Sequence, residues 1–212
     1  MTEQLFVITG ASGFIGSSIV RLLKQRSASI IGVTRGTAST RVSGIRSVDI
    51  AELHQIGVGA HNSISFLHLA GEASATRWED REDLLWRDHE KYVSQLAYCA
   101  RYVFRANEIR FVNASTATVV GSTKGPVSNA TKGTPETPYD RWKLRQEELI
   151  CAAASDIGAS SVSLRLPNVY GRPQHRPAVG RGFVTQQVES ALRGSPLHYF
   201  KEAPLMRDYL HI

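Results

Sequence analysis

Residues 5–16 read LFVITGASGFIG, an apolar run that breaks into three glycines at intervals of three and passes straight into a helical pattern. That order of signals describes a strand, a tight turn and a helix N-terminus. The first N–H groups of a helix have no partner within it, so such a turn forms an anion site. Gly10 supplies the turn, Gly13 lets backbone approach a pyrophosphate, and Gly16 allows close packing of helix and strand. The spacing G-x-x-G-x-x-G is one residue wider than the G-x-G-x-x-G of the common dinucleotide turn. A glycine turn without a ligand has the same local pattern, so the rest of the chain decides.

Outward from this turn, apolar runs recur at Leu5–Thr9, Ile30–Val33, Ser65–Leu69, Arg110–Val112 and Val162–Leu166. Helical stretches near Phe14–Gln25, Leu84–Asn107 and Tyr139–Ile157 separate them. Strands alternating with helices predict an α/β fold, a doubly wound and mostly parallel sheet covered on both faces. One long irregular stretch, Gly121–Pro138, is of the kind that is usually functional or mobile.

The chain has 212 residues, 42% hydrophobic and 21% charged, an ordinary globular composition with room for one substantial core. Lys plus Arg outnumber Asp plus Glu by 25 to 19, a formal charge of +6. The basic residues are scattered rather than gathered on a helix or strip, which argues against nucleic acid; an anionic small molecule or solubility accounts for them. The first strand begins too near Met1 for a signal peptide, and no apolar run is long enough to cross a bilayer. Cys99 and Cys151 fall in helical patterns, as expected of inert thiols in a cytoplasmic protein. No histidine stands at metal-ligand spacing, so no metal is expected.

Tyr139 and Lys143 lie four apart in TPYDRWKL, on one face of a helix that opens at Pro138. A tyrosine titrates near ~10; an ammonium beside it favours the phenolate and brings it toward neutral pH. Ser115, Thr116 and Thr118 follow a strand, at the end where parallel sheets place ligands. The same hydroxyls also suit turn capping.

Together TGASGFIG, HLAG at His68–Gly71, NASTATVVG at Asn113–Gly121, YDRWK at Tyr139–Lys143, RLPNVYGRP at Arg165–Pro173 and RDYLHI at the C-terminus resemble an extended short-chain dehydrogenase/reductase of the NAD-dependent epimerase/dehydratase family. They occur in the family's order and span essentially the whole chain. The resemblance implies a Rossmann-type domain over residues 1–170 and, over 171–212, the start of a small C-terminal substrate lobe, most of which is missing because the chain stops at Ile212. It makes Tyr139 the catalytic acid/base, Lys143 the residue that holds the nicotinamide ribose and tunes the tyrosine, and Thr116 the catalytic hydroxyl. It places the cofactor on Gly10, Ser12, Gly13, Phe14, Ile15 and Gly16, along Leu69, Ala70 and Gly71, and at Asp49 and Ile50 beside the adenine. Pro167 and Val169 back the nicotinamide, and Asn168 and Arg207 touch the substrate. The chain departs from the family at Val120, often a tyrosine, and at His89, which stands nearest to a structural asparagine.

The second strand ends in Val33-Thr34-Arg35-Gly36, without the acid that takes the ribose hydroxyls of NAD. Thr34 and Arg35 point instead to NADP(H), with NAD(H) the alternative. NADP(H) favours a net reductase, and HLAGEAS, TPYDRWKL and SLRLPNVYG look closest to nucleotide-diphospho-4-keto-6-deoxysugar ketoreductases. The expected substrate is a nucleotide-sugar. Two alternatives stand: an NAD-dependent nucleotide-sugar 4-epimerase or dehydratase, the latter disfavoured by Ala117 and Thr118 after Thr116, and a non-catalytic NADP-binding regulatory module. The basic loop Arg172, His175, Arg176 and Arg181 suits a diphosphate or solvent. Trp78 and Trp86, around the acidic run Glu79–Asp83, read as packing. Val93, Leu96, Ala100 and Val103 recur at helical spacing and must pack on the sheet. In the resembling family the two helices around 93–104 and 144–157 form a homodimer interface.

Overall fold

A computed structural model describes residues 4–35, 42–57, 61–72, 75–123, 125–171, 182–197 and 207–212. Alternation of apolar side chains sends residues of the first strand to opposite faces: in β1 (Gln4–Thr9), Leu5 and Val7 join one buried cluster and Ile8 joins another. Five further strands run parallel to it: β2 (Ser29–Thr34), β3 (Arg46–Asp49), β4 (His61–His68), β5 (Ala106–Thr116) and β6 (Ser160–Leu166). Their order is β3-β2-β1-β4-β5-β6. The chain reverses its winding direction between β1 and β4, and open parallel sheets bind ligands at such a crevice.

Helix α1 (Phe14–Gln25) matches its sequence expectation residue for residue and covers one face through Val20. Helices α2 (Ala75–Tyr102) and α3 (Pro138–Ser155) cover the other. The stripe Val93, Leu96 and Ala100 is buried against the sheet with Val103 partly buried beside it. Tyr98 and Tyr102 of the same helix are exposed. Among the described residues no helix is long and apolar enough to cross a membrane.

Several expectations need correction. Strand β3 is absent from the apolar runs of the sequence because only Val48 of its four residues is buried. Helix α2 begins nine residues before Leu84 and consists of two helical segments joined at Arg81, whose φ/ψ are non-helical. It ends at Tyr102 rather than Asn107, because Ala106 already pairs with His61 of β4. The irregular stretch after Gly121 is pinned to the turn before it. The Thr134 amide donates to Val119 O, Ser122 N–H donates to Glu136 Oε1, and Arg165 donates to Thr131 O. After β6 come β7 (Asn168–Tyr170), α4 (Phe183–Leu192) and β8 (Tyr209–His211), with β7 and β8 paired in a separate two-stranded ribbon. Residues 172–181 of the basic loop lie outside the described residues.

Candidate active site

At the switch point the glycine turn forms the floor of a cleft of about 300 Å³. Gly10 has φ +68°, the left-handed region, and a Cβ on Gly16 would meet Gly10 O at 2.1 Å. The third glycine therefore lets the helix press on the turn itself rather than on the strand. Helix α1 opens at Gly13 with no side-chain cap, leaving its first-turn amides to the cleft.

Of the residues expected at the cofactor, Gly10, Ser12, Gly13, Thr34, Arg35, Leu69, Ala70 and Gly71 line this cleft. Phe14, Ile15 and Gly16 form the first turn of α1 behind it. Asp49 ends β3 beside Thr34, and its Oδ1 accepts from Ala51 N–H at 2.8 Å. Ile50 is buried, and its carbonyl accepts from Gln95. Sequence reasoning missed Ser47 and Tyr92, which also line the cleft. Ser47 lies on the unrecognised β3, and Tyr92 adjoins the buried stripe of α2, where a tyrosine passes for packing. The Arg35 guanidinium lies over the Tyr92 ring, 5.7 Å from its centroid, within cation–π range. Burial holds the Tyr92 phenol above its ordinary range.

Past Gly71, whose added Cβ would lie 3.5 Å from Lys143 Nζ, the cleft gives way to the start of α3. Thr137 and Asp140 form a capping box, and Pro138 stands in the first turn, which fixes where the helix begins. Asp140 faces two ways: Oδ2 accepts from Thr137, and Oδ1 accepts from the Thr118 hydroxyl. Since the Thr118 proton goes to Asp140, the 2.9 Å contact between Thr118 Oγ1 and Thr116 Oγ1 must carry the Thr116 proton toward Thr118. Thr116 Oγ1 also caps the 3₁₀ turn Ala117–Val120, and Val120 is buried there. Ser115 instead donates to Glu147, which forms a two-point ion pair with Arg165.

Lys143 is buried, and Nζ donates to Ala114 O at 2.8 Å and to Gln146 Oε1 at 3.0 Å. Nζ lies 6.0 Å from the centre of the Tyr139 ring. Burial pushes the ammonium down to about 8, with Glu147 opposing. Tyr139 is pushed up to about 12, by burial first and by the Asp140 charge second. This reverses the expectation that Lys143 lowers the tyrosine: in this arrangement the ammonium is turned to Ala114 and Gln146.

Trp78 and Trp142 are fully buried and stack with centroids 6.1 Å apart; the Trp78 ring lies 6.3 Å from Tyr139. Trp86 and His89 pack edge-on to Trp142. Beyond packing, Trp78 Nε1 donates to Glu72 O and His89 Nε2 accepts from Glu72 N–H. The two peptide groups that flank Glu72, just after HLAG, are thus tied to α2. Burial holds His89 down at about 4, with Arg35 and Lys143 adding to it. Pro167 and Val169 follow β6 directly, Val169 within β7. Asn168 and Arg207 are exposed near the two-stranded ribbon, where Asn168 N–H donates to Asp208 O.

The model of the NAD dependent epimerase/dehydratase family matches residues 6–212, and the chain belongs to that family. YtcB of Bacillus subtilis, described as an uncharacterized UDP-glucose epimerase, is 27% identical over 97% of this chain and 68% of its own length. A dTDP-4-dehydro-6-deoxyglucose reductase of Escherichia coli is 23% identical, covering 97% of this chain and 68% of its own. Among solved structures, the UDP-glucose 4-epimerase of Thermus thermophilus in complex with NAD superimposes with a TM-score of 0.77 at 25% identity, over 98% of this chain and 70% of that one. The chain spans 61–68% of the length of the curated relatives it matches. Family membership makes it an NAD(P)-dependent enzyme class in which relatives act on nucleotide-sugars.

Proposed function

We propose that the protein is an NADPH-dependent reductase of a nucleotide-diphospho-keto-sugar. The observation that carries this reading is Arg35, which stands one residue past β2 over Tyr92, in a strand end, Val33-Thr34-Arg35, that carries no acid of its own for ribose hydroxyls. The uncapped start of α1 and the glycine cradle fit a dinucleotide pyrophosphate. The nicotinamide, when bound, supplies the hydride. Tyr139 donates its phenolic proton to the substrate oxygen and is reprotonated from water. Thr116 turns its hydroxyl from Thr118 to that oxygen and stabilises the developing alkoxide. Lys143 holds the ribose with its remaining N–H. Asn168 and Arg207 contact the substrate, the arginine through its diphosphate, with Pro167 and Val169 behind the nicotinamide. Isothermal titration with NADPH and NADH tests the cofactor; tighter binding of NADH would reverse it. Consumption of NADPH with a 4-keto-6-deoxy sugar nucleotide tests the reaction.

The second reading is a 4-epimerase with bound NAD, favoured by the epimerase names of YtcB and of the Thermus protein. Interconversion of UDP-glucose and UDP-galactose without added cofactor would select it. In either case we infer a homodimer through the outer faces of α2 and α3, which a monomeric mass in light scattering would refute.

A further inference from the structure

A chain of buried polar groups runs from Lys143 to the cleft residues Leu69 and Ala70, and neither the glycine turn nor the Tyr-Lys pair calls for it. Lys143, Gln146, His68 and Thr9 are each less than a tenth exposed. Gln146 Oε1 accepts from Lys143 Nζ, Gln146 Nε2 contacts His68 Nε2 at 2.8 Å, and His68 Nδ1 contacts Thr9 Oγ1 at 2.9 Å. Thr9 Oγ1 also accepts the backbone N–H groups of Leu69 at 3.1 Å and Ala70 at 3.2 Å. Those two residues line the cleft.

The direction of the chain follows from its first link. An ammonium only donates, so the amide oxygen of Gln146 must face Lys143 and its NH₂ must face His68. His68 Nε2 therefore carries a lone pair, and the ring proton sits on Nδ1 and points at Thr9, whose Oγ1 can take it beside the Ala70 N–H because the Leu69 N–H is shared with Thr9 O at 3.3 Å. Burial keeps the ring neutral, with its pKa held down at about 3. A leucine would fill the space of Gln146 without the cost of burying an amide; the amide is tolerated because both its ends are used. The third Lys143 N–H is left beside Gly71, where a Cβ would lie 3.5 Å from Nζ.

Building on the proposed function, we propose that Gln146 is a positioning residue of the reaction, which through His68 and Thr9 holds Lys143 in register with the cofactor turn Leu69–Ala70. The charged and titratable groups around Lys143 and His68 are Glu147 and Tyr139 on α3 and His89 on α2, with Arg35 beyond β2 acting on the two histidines. Removing the Gln146 acceptor leaves the ammonium less well solvated, and a carboxylate in its place gives it a counter-charge. These changes act in opposite directions.

The test is ¹⁵N NMR of His68 and ¹³Cε titration of Lys143 in the full chain, in wild type, Gln146→Leu and Gln146→Glu, with kcat and KM for the keto-sugar alongside. Wild type is expected to show a neutral His68 protonated on Nδ1. Gln146→Leu should move the Lys143 titration down by about one pH unit and Gln146→Glu up by a similar amount. Gln146→Glu should also move the His68 proton to Nε2. In Gln146→Leu kcat should fall about 10- to 100-fold with KM nearly constant. An Nε2-protonated His68 in wild type, or a Lys143 titration unmoved in both variants, would overturn the proposal. If Gln146→Leu does not fold, the wild-type tautomer and Gln146→Glu still decide. Absence of any turnover of keto-sugars by wild type would remove the proposed function, while the two NMR readouts continue to test the chain itself.

Discussion

The two ends of the candidate site, Arg35 in the cleft and Tyr139 at the start of α3 beside it, are built in opposite ways. At the Tyr139 end the polar groups are held by directed hydrogen bonds, with Lys143 and Asp140 buried and Thr116 and Thr118 more open: Lys143 toward Ala114 and Gln146, Thr116 toward Thr118, and Thr118 toward Asp140. At the Arg35 end the guanidinium is exposed and rests on the face of a single ring. The first arrangement fixes atoms to within a hydrogen-bond length, as proton transfer requires. The second presents a charge whose side chain can adapt, which suits recognition of a phosphate. Under the proposed function, the stationary end holds the chemistry and the adaptable end chooses the cofactor.

Replacing the group at the stationary end should separate the two most sharply. Tyr139→Phe is expected to lower kcat by about 10²- to 10⁴-fold while NADPH binds nearly as before, checked by steady-state kinetics and isothermal titration. Comparable losses in binding and turnover would mean that the ends are not independent.

The buried histidines of the stationary end predict acid sensitivity. Both pKa values are lowered in the fold, His68 to about 3 and His89 to about 4. Below about pH 6.5 the unfolded chain takes up protons that the folded state refuses, so stability falls with pH. Each histidine contributes up to about 1.4 kcal/mol per pH unit, starting near 6.5 and ending near 4 for His89 and near 3 for His68. Thermal midpoints measured from pH 7 to pH 4 should show the decline, and His89→Asn should flatten it; an unchanged slope in that variant would contradict the assignment. At the adaptable end, Arg35→Ala should weaken NADPH binding by about 10- to 100-fold, the loss of one charge-assisted contact, and leave NADH binding unchanged. Equal loss for both cofactors would turn Arg35 into a structural residue.

The adaptable end and the glycine turn were readable in the sequence because their signals are local. Helix α1 follows from glycines and helical spacing, and Thr34-Arg35 stands where an acid would be expected. What the sequence hid was long-range or weakly patterned. The contacts of His68 with Thr9 and Gln146 join residues 59 and 78 positions apart, beyond any spacing rule. The leading segment of α2 is acidic and polar apart from buried Trp78, so no apolar stripe announces it. Spacing did place Tyr139 and Lys143 on one helix, but it could not tell which way the ammonium turns. Burial, with the Asp140 charge beside it, raises the tyrosine to about 12.

The smallest expected effect probes how the stationary end is held. Thr137 caps α3 and shares Asp140 with Thr118, so one carboxylate sets both the helix start and the hydroxyl beside Thr116. Thr137→Ala removes a cap and should cost about 1 kcal/mol of stability in a denaturant titration. Because Tyr139 lies two residues into the helix, fraying there displaces the phenol from the place where Thr116 also acts. The variant should therefore lose a few-fold in kcat at a temperature where it remains folded, with NADPH affinity unchanged. Loss of stability with kcat intact would show that Asp140 alone holds the helix start, and Asp140→Asn would then carry the kinetic defect.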